Sequence, residues 1–200
     1  MGKIYYIMGK SGSGKDTIYK EVIDQKELHL KNIVLYTTRP IRENEEDGRE
    51  YHFVDERTVC ELERQGRVIE MRSYHTIHGI WKYCTVDNEN IDLKKQDYLA
   101  IGTLESYAKV KDYYGAGNVV PVYIEVEDGL RLERALKRER KPQNGRYEEM
   151  CRRFLADCAD FSEENLQKAG ITHRFENNHD REECIKEIEE FIRSCQREKE

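Results

Sequence analysis

The hydrophobic positions near the N-terminus form one short run that ends in a cluster of glycines. Residues 3–8, "KIYYIM", are almost continuously apolar, which is typical of a parallel strand buried on both faces. Residues 15–25 are compatible with a helix, and residues 33–36, "IVLY", form the next apolar run. The pattern therefore predicts strand, glycine loop, helix and strand in this order.

The middle of the chain is more polar and is interrupted by turn residues. Residues 37–54, "TTRPIRENEEDGREYHFV", contain a proline, a turn at "EDG" and a short predicted strand, "YHFV". Residues 55–65 predict a helix with Asp55 as its N-cap. Residues 67–71, "RVIEM", predict another strand.

Strands and helices alternate over the rest of the chain. The predicted strands are 97–102, 119–126 and 172–177, and the predicted helices are 129–140, 147–168 and 180–197. Alternation at both ends of the chain is typical of an α/β fold with a parallel sheet. The segment from about 35 to 90 is richer in short strands, which favours a small separate subdomain.

The composition agrees with a single charge-rich globular domain. The chain has 200 residues, of which 38% are hydrophobic and 37% charged. A net charge of -6 gives no indication of a nucleic-acid or membrane partner. No apolar run approaches the roughly 20 residues of a membrane span, and no signal peptide is apparent. We therefore expect a cytoplasmic protein that binds neither nucleic acid nor membranes.

The cysteines and histidines do not predict a metal site. The six cysteines include no C-x-x-C pair. We interpret them, Cys151 and Cys184 included, as reduced thiols that pack as small hydrophobic residues. His75 and His78 have a spacing compatible with zinc, but we interpret them as surface residues.

The glycine cluster, "GKSGSGKDT" at 9–17, has the pattern of a phosphate-binding loop. Gly9, Gly14 and Lys15 fit G-x-x-x-x-G-K, with a predicted strand before and a helix after. Glycines let backbone N–H groups turn towards phosphate oxygens, and the helix N-terminus adds partial positive charge. Lys15 supplies a full charge. The alternative is a glycine-rich turn without a ligand, and motif and context together argue against it.

Asp16 stands where this pattern normally has Ser or Thr, whose hydroxyl binds Mg²⁺. Asp16 can bind Mg²⁺ itself or lie at the helix N-terminus, where an anion is favoured. Thr17 can supply the hydroxyl one position later. We favour a capping or packing role for Asp16.

A second polar constellation follows the predicted second strand. Arg39 and Arg42 are three residues apart, which suits a bidentate grip on a phosphate, and Tyr51 adds a neutral donor. Glu70 is a lone carboxylate in an apolar strand. It can accept two N–H bonds from a guanine edge. The alternatives are an exposed strand face or a salt bridge with a neighbouring arginine, Arg67 or Arg72.

These motifs, in this order, resemble the guanylate kinase family over essentially the whole chain, and "TTRPIRENEEDGREYHFV" is the most specific part. The resemblance implies transfer of the γ-phosphate of ATP to GMP and dGMP, with Mg²⁺ as the cofactor of ATP. It implies an α/β fold, in which a P-loop NTPase-type parallel sheet is flanked by helices. A small GMP-binding β-rich subdomain and a helical lid complete that fold.

The resemblance also implies a single domain over 1–200 and a monomer or homodimer. The expected core comprises about 1–34, 92–130 and 155–200, with the nucleoside monophosphate-binding subdomain at about 35–91 and the lid at about 131–154.

Site residues are carried over from the family by position. ATP would be bound by Gly9, Ser11, Gly12, Ser13, Gly14, Lys15, Asp16, Thr17, Arg134 and Asn177. GMP would be bound by Arg39, Arg42, Tyr51, Glu70, Tyr83 and Thr85. The expected catalytic residues are Lys15, Arg39, Arg138 and Arg153, and Thr17 is a weak candidate as a Mg²⁺ ligand.

The sequence departs from the family pattern in three places near the acceptor. The family's "Y-G-S/T" reads "YCT" at 83–85, behind an apparent insertion, "HTIHGIWK". Leu35 and Tyr36 stand where the family has a serine before "TTR". The family's acidic residues after the strand at 97–102 are replaced by "GTLES", in which Thr103 and Glu105 are poor substitutes.

Three hypotheses follow. The leading one is a GMP kinase, the second is a kinase for another phosphorylated acceptor, and the third is a non-catalytic binding module. The intact glycines and Lys15 argue against the third.

Overall fold

The computed structural model describes residues 1–76, 79–88, 90–140 and 145–197. The strands in this part are β1 Ile4–Met8, β2 Leu30–Asn32, β3 Tyr36–Thr37, β4 His52–Phe53, β5 Val68–Thr76, β6 Gly79–Val86, β7 Asp97–Gly102, β8 Val119–Glu125 and β9 Arg174–Glu176. The α-helices are α1 Lys15–Ile23, α2 Glu56–Arg64, α3 Leu104–Tyr114, α4 Asp128–Glu139, α5 Tyr147–Asp160, α6 Glu163–Ala169 and α7 Arg181–Arg197. None of these helices is long and apolar enough to cross a membrane.

Five strands form a parallel sheet in the order β2–β7–β1–β8–β9. The central strand β1 divides its side chains between two cores. Ile4, Tyr6 and Met8 pack on the side of α3 and α6, whereas Tyr5 and Ile7 pack on the side of α1 and α7. Cover on both faces explains the continuous apolar run at the N-terminus. The predicted α/β fold with a parallel sheet flanked by helices is confirmed.

The other four strands form a second, mostly antiparallel sheet in the order β4–β3–β6–β5. Helix α2 covers this sheet with Val59 and Leu62. Its N-cap is Asp55, whose carboxylate accepts a hydrogen bond from the backbone N–H of Thr58 at 2.8 Å. The helix predicted at 55–65 is thus confirmed, and the middle of the chain is rich in strands as expected.

The strand predicted at 33–36 is wrong. Strand β2 ends at Asn32, and the N–H of Ile33 makes a last bond to the carbonyl of Leu99 at 2.9 Å. The chain then leaves the first sheet and enters the second at Tyr36. The apolar run marks a buried crossing between two sheets, which the hydrophobic pattern alone does not distinguish from a strand.

The single helix predicted at 147–168 is also wrong, because the chain forms α5 and α6 instead. Ser162 accepts a hydrogen bond from the N–H of Asn165 at 3.4 Å and starts α6 as its N-cap. Phe161, at the break, is 4% exposed and stacks on Tyr123. The hydrophobic pattern does not predict α3 or β6.

The cysteines behave in two ways. Cys184 is buried as expected, whereas Cys60 and Cys151 are exposed, so the packing interpretation is wrong for those two. His75 is exposed, and His78 lies outside the described residues. Within the part of the chain that the structure describes, no group of three or more His, Cys, Asp or Glu side chains could hold a metal ion.

Gly102 ends β7 at a point where no side chain fits. A Cβ atom there would overlap the hydroxyl of Tyr6 and lie 2.5 Å from Oγ of Ser106, two groups that hydrogen-bond to each other at 2.8 Å. We expect Gly102→Ala to lower the free energy of unfolding by about 1–3 kcal/mol, because these buried groups must move. Chemical denaturation measures the change.

Gly117→Ala is the matched control, since a Cβ atom at Gly117 has no neighbour within 4 Å and its backbone is not in the left-handed region. Equal stability of the two variants would contradict the steric account of Gly102.

Candidate nucleotide-binding site

The glycine loop connects the end of β1 with the start of α1. Gly12 and Gly14 have φ of +83° and +85°, in the left-handed region that favours glycine. A Cβ atom at Gly12 would lie 2.9 Å from the carbonyl oxygen of Arg131. The loop therefore turns tightly against α4 and leads into the N-terminus of α1, where an anion is favoured.

Two buried side chains hold the loop from behind. Arg131 of α4 is 1% exposed and donates from Nη1 to the carbonyl of Ser11 at 3.0 Å. Its Nη2 lies 2.6 Å from Oδ1 of Asp128. Asn177 is 3% exposed and donates from Nδ2 to the carbonyl of Ser13 at 2.8 Å. These bonds satisfy loop carbonyls that neither the strand nor the helix can use.

A carboxylate side chain of α5 accepts a hydrogen bond from the loop. The N–H of Ser11 donates to Oδ2 of Asp157 at 2.6 Å. Arg153, one turn earlier, donates from Nη2 to Oγ of Ser11 at 3.2 Å. A carboxylate on a loop N–H shows that this backbone group is placed to bind negatively charged oxygen.

Lys15, Asp16 and Thr17 lie at the open side of the loop. The carboxylate of Asp16 is 82% exposed and 3.5 Å from Nζ of Lys15. Asp16 is therefore not packed, which corrects that part of the expectation, although it lies in the first turn of α1, where an anion is favoured. Thr17 is exposed beside it. Exposed hydroxyl and carboxylate oxygens suit Mg²⁺, which takes few protein ligands and keeps waters or phosphate oxygens.

A cavity of about 550 Å³ opens in front of the loop. Its lining comes from the loop, the second sheet, the end of β7 and α5. Among the residues are Gly9, Ser11, Lys15, Asp16, Tyr51, Arg72, Tyr74, Trp81, Tyr83, Thr103, Glu149, Arg152, Arg153 and Asp157. The cavity thus joins the predicted ATP side to part of the predicted GMP side.

Only some of the residues predicted to bind the phosphate of GMP line this cavity. Tyr51 and Tyr83 line it and pack edge to face, with ring centroids 5.6 Å apart. Arg39 is 3% exposed and donates to both carboxylate oxygens of Glu45 at 2.7 and 2.9 Å. Burial lowers the pKa of Arg39, but the bonds to Glu45 outweigh it and the pKa is raised. Arg42 is exposed, and its N–H also donates to Glu45.

Glu70 and Thr85 come together as a buried pair. Oγ1 of Thr85 donates to Oε1 of Glu70 at 2.8 Å. Arg72 donates from Nε to Oε2 at 3.0 Å and from Nη2 to Oε1 at 3.2 Å. Of the alternatives for Glu70, an exposed strand face is wrong, and a salt bridge with Arg72 is present.

The lid arginines occupy different places. Arg153 lines the cavity, whereas Arg134 donates to the carbonyl of Asn177 at 2.9 Å. The side chain of Arg138 is 55% exposed, with Nε 3.7 Å from Oε1 of Glu139, and it does not line the cavity. Residues 141–144 of the expected lid lie outside the described residues.

The residues after β7 build a helix cap. Oγ1 of Thr103 accepts from the N–H of Ser106 at 3.2 Å, and the N–H of Thr103 donates to Oγ of Ser106 at 2.9 Å. This capping box starts α3. Glu105 is exposed and pairs with Lys109 at 2.7 Å. The segment that carries acidic residues in the family is thus used here to begin a helix.

Comparison with known proteins identifies the family. A family model described as guanylate kinase matches residues 1–194. The chain belongs to the guanylate kinase family. The guanylate kinase of Malacoplasma penetrans is 29% identical over 142 residues, which are 68% of each chain. That of Zymomonas mobilis subsp. mobilis is 27% identical over 192 residues, which are 96% of this chain and 83% of that protein.

A solved structure agrees with this assignment at the level of the fold. The crystal structure of guanylate kinase from Anaplasma phagocytophilum has a TM-score of 0.62 and 22% sequence identity, and the match covers 96% of this chain and 85% of that one. This likeness shows a P-loop NTPase-type fold. Guanylate kinases are nucleoside monophosphate kinases, so the family is one of phosphotransferases.

Sequence reasoning misses three contributors to the site. Arg131 looks like one of many lid cations, but it is buried beneath the loop. Asp157 lies in the helix predicted at 147–168 and carries no motif. Arg72 is identified only as one possible partner of Glu70. For Arg131 and Asp157 the signal is a contact with the distant Ser11, which residue spacing does not encode. Arg72 is only two residues from Glu70, and the spacing alone does not distinguish it from Arg67 as the partner.

Arg131→Ala tests the role of the buried arginine. We expect the free energy of unfolding to fall by about 1–3 kcal/mol, because the Ser11 carbonyl loses its charged donor, whereas the half-exposed Asp128 carboxylate keeps Lys10 as a partner. Urea denaturation measures the loss. Arg64→Ala is the control, since that side chain is 76% exposed and pairs only with Glu61 among the described residues. A loss below about 1 kcal/mol for Arg131→Ala would contradict the bracing role.

Proposed function

We propose that this protein transfers the γ-phosphate of ATP to GMP and dGMP. The observation that supports this most directly is the cavity of about 550 Å³, which has the phosphate-binding loop on one side and the tyrosines of the second sheet on the other. The Glu70–Thr85 pair lies on that same sheet. A donor site and an acceptor site that share one cavity are what direct phosphoryl transfer requires.

In this proposal the loop N–H groups and Lys15 hold the β- and γ-phosphates of ATP. Arg153 lies against Ser11 and neutralises charge on the transferring group, with Arg138 as a second expected lid cation. The exposed oxygens of Thr17 and Asp16 would hold Mg²⁺, which shields phosphate charge when bound. Asn177 and Arg134 stabilise the loop side of the ATP site.

The acceptor is held on the second sheet in this proposal. Tyr51 and Tyr83 donate to the GMP phosphate, joined by Arg42 and by Arg39 once it exchanges Glu45 for the phosphate. Glu70 accepts the guanine N1–H and amino group, and Thr85 supports that carboxylate. We also propose that the parallel sheet is the core, the second sheet the acceptor-binding subdomain and α4–α5 the lid of a cytoplasmic enzyme.

A second candidate keeps the chemistry and changes the acceptor. It is favoured by the contact of Arg72 with Glu70 and by the use of Thr103 as a helix cap instead of an acidic residue. A phosphorylated metabolite without guanine would then bind through the tyrosines. The intact loop and Lys15 argue against a purely non-catalytic module.

A coupled ADP-release assay with ATP, Mg²⁺ and each of GMP, dGMP, AMP, UMP and CMP tests the proposal. We expect turnover with GMP and dGMP only. Lys15→Ala should lower kcat about 100-fold or more, because one preorganised charge at the transferring phosphate is lost. Lys20→Ala, at an exposed position of α1, is the matched control. Binding of ATP without turnover of any monophosphate would favour the second candidate.

Glu70→Gln tests base recognition. We expect the KM for GMP to rise about tenfold or more, since hydrogen bonds to a charged acceptor are replaced by weaker ones. The KM for ATP should stay unchanged. Glu63→Gln, at an exposed position of α2, controls for the lost charge. Equal effects on both substrates would count against a guanine contact at Glu70.

A further inference from the structure

The carboxylate of Glu70 is both buried and engaged. Its side chain is 0% exposed, and it accepts three hydrogen bonds, two from Arg72 and one from Thr85. A carboxylate offers about four lone-pair sites. Arg72 reaches one oxygen with Nε and the other with Nη2, which is the fork geometry that a guanidinium makes with a carboxylate.

The Watson–Crick edge of guanine offers the same pattern of donors. Its N1–H and its exocyclic amino group are both attached to C2, so that this edge is a guanidine unit within a ring. It needs both oxygens of a carboxylate from one side, as the guanidinium of Arg72 does. Arg72 and a guanine edge therefore cannot both pair with Glu70 in this way.

Arg72 has space to leave the pair. Its side chain is 14% exposed, and it lines the cavity at the loop and also an adjoining cavity of about 730 Å³. Asp160 lines both cavities as well. Burial, with the nearby carboxylate of Asp157, raises the pKa of Asp160, so a cation that moves into these cavities meets a carboxylate that favours it.

We infer that Arg72 is a specificity-determining residue of the acceptor site, because it competes with the base for Glu70. This rests on the proposed function. A base that offers two donors on one edge, as guanine does, replaces Arg72 without leaving the buried carboxylate unpaired. Adenine has no N1–H, so it cannot replace Arg72, and the Arg72–Glu70 pair stays intact. The competition selects against other bases and weakens the apparent affinity for GMP by the fraction of molecules in which Glu70 is free.

Arg72→Ala tests this inference by isothermal titration calorimetry with GMP, AMP and ATP. We expect the Kd for GMP to fall about tenfold or more, with no tightening for AMP or ATP. Arg72→Gln keeps the length of the side chain and removes the charged fork. Arg72→Gln replaces Arg72→Ala in the titration if Arg72→Ala does not fold. Its Kd for GMP is also expected to fall.

Arg64→Ala controls for the loss of one arginine and should leave GMP affinity unchanged. Unchanged or weaker GMP binding by the folded Arg72 variants would overturn the inference, because Arg72 would then hold Glu70 in place for the base. The wild-type turnover assay separates this from the proposed function. Turnover of GMP by the wild type with no gain in the variants refutes only the competition. Tighter GMP binding by the variants, without GMP turnover by the wild type, refutes only the proposed function.

Discussion

The backbone of the glycine loop has to be satisfied by side chains from distant segments, and the rest of the site depends on this constraint. Polar backbone groups outside strands and helices need partners, particularly where they are buried. The carbonyl of Ser11 accepts a hydrogen bond from Arg131, its N–H donates to Asp157, and its hydroxyl accepts from Arg153. The carbonyl of Ser13 accepts a hydrogen bond from the side-chain amide of Asn177. The loop is thus held by α4, α5 and the segment after β9 at once.

In the proposed ATP site, nucleotide binding is coupled to the position of α5. A phosphate oxygen bound at the N–H of Ser11 would replace the carboxylate of Asp157, one anion for another. Helix α5 has no fully buried residue, and Leu155 on it is 68% exposed. Few buried apolar side chains therefore oppose a displacement of α5, whose Phe154 ring packs on the guanidinium of Arg131.

The sequence predicts the elements whose signals are local. Local signals suffice for the apolar run at β1, the glycine loop, the N-cap Asp55 and the helix predicted at 180–197. The run at 33–36 is misread, because a buried crossing and a buried strand have the same composition. Among the site residues, Lys15 follows from its motif. The paired state of Glu70 is left open, because it depends on which side chains β5 and β6 bring together.

At each end of the cavity, a charged side chain of the protein occupies the place of the expected ligand. Asp157 offers the loop a carboxylate where a phosphate would bind, and Arg72 offers Glu70 a guanidinium where guanine would bind. An unpaired buried charge is costly, so these contacts stabilise the protein without ligand. Each ligand then gains only the difference between its own contacts and those it replaces. Such exchange lowers affinity while it preserves discrimination, because a molecule that lacks the matching charge or donors cannot make up for the contact it breaks.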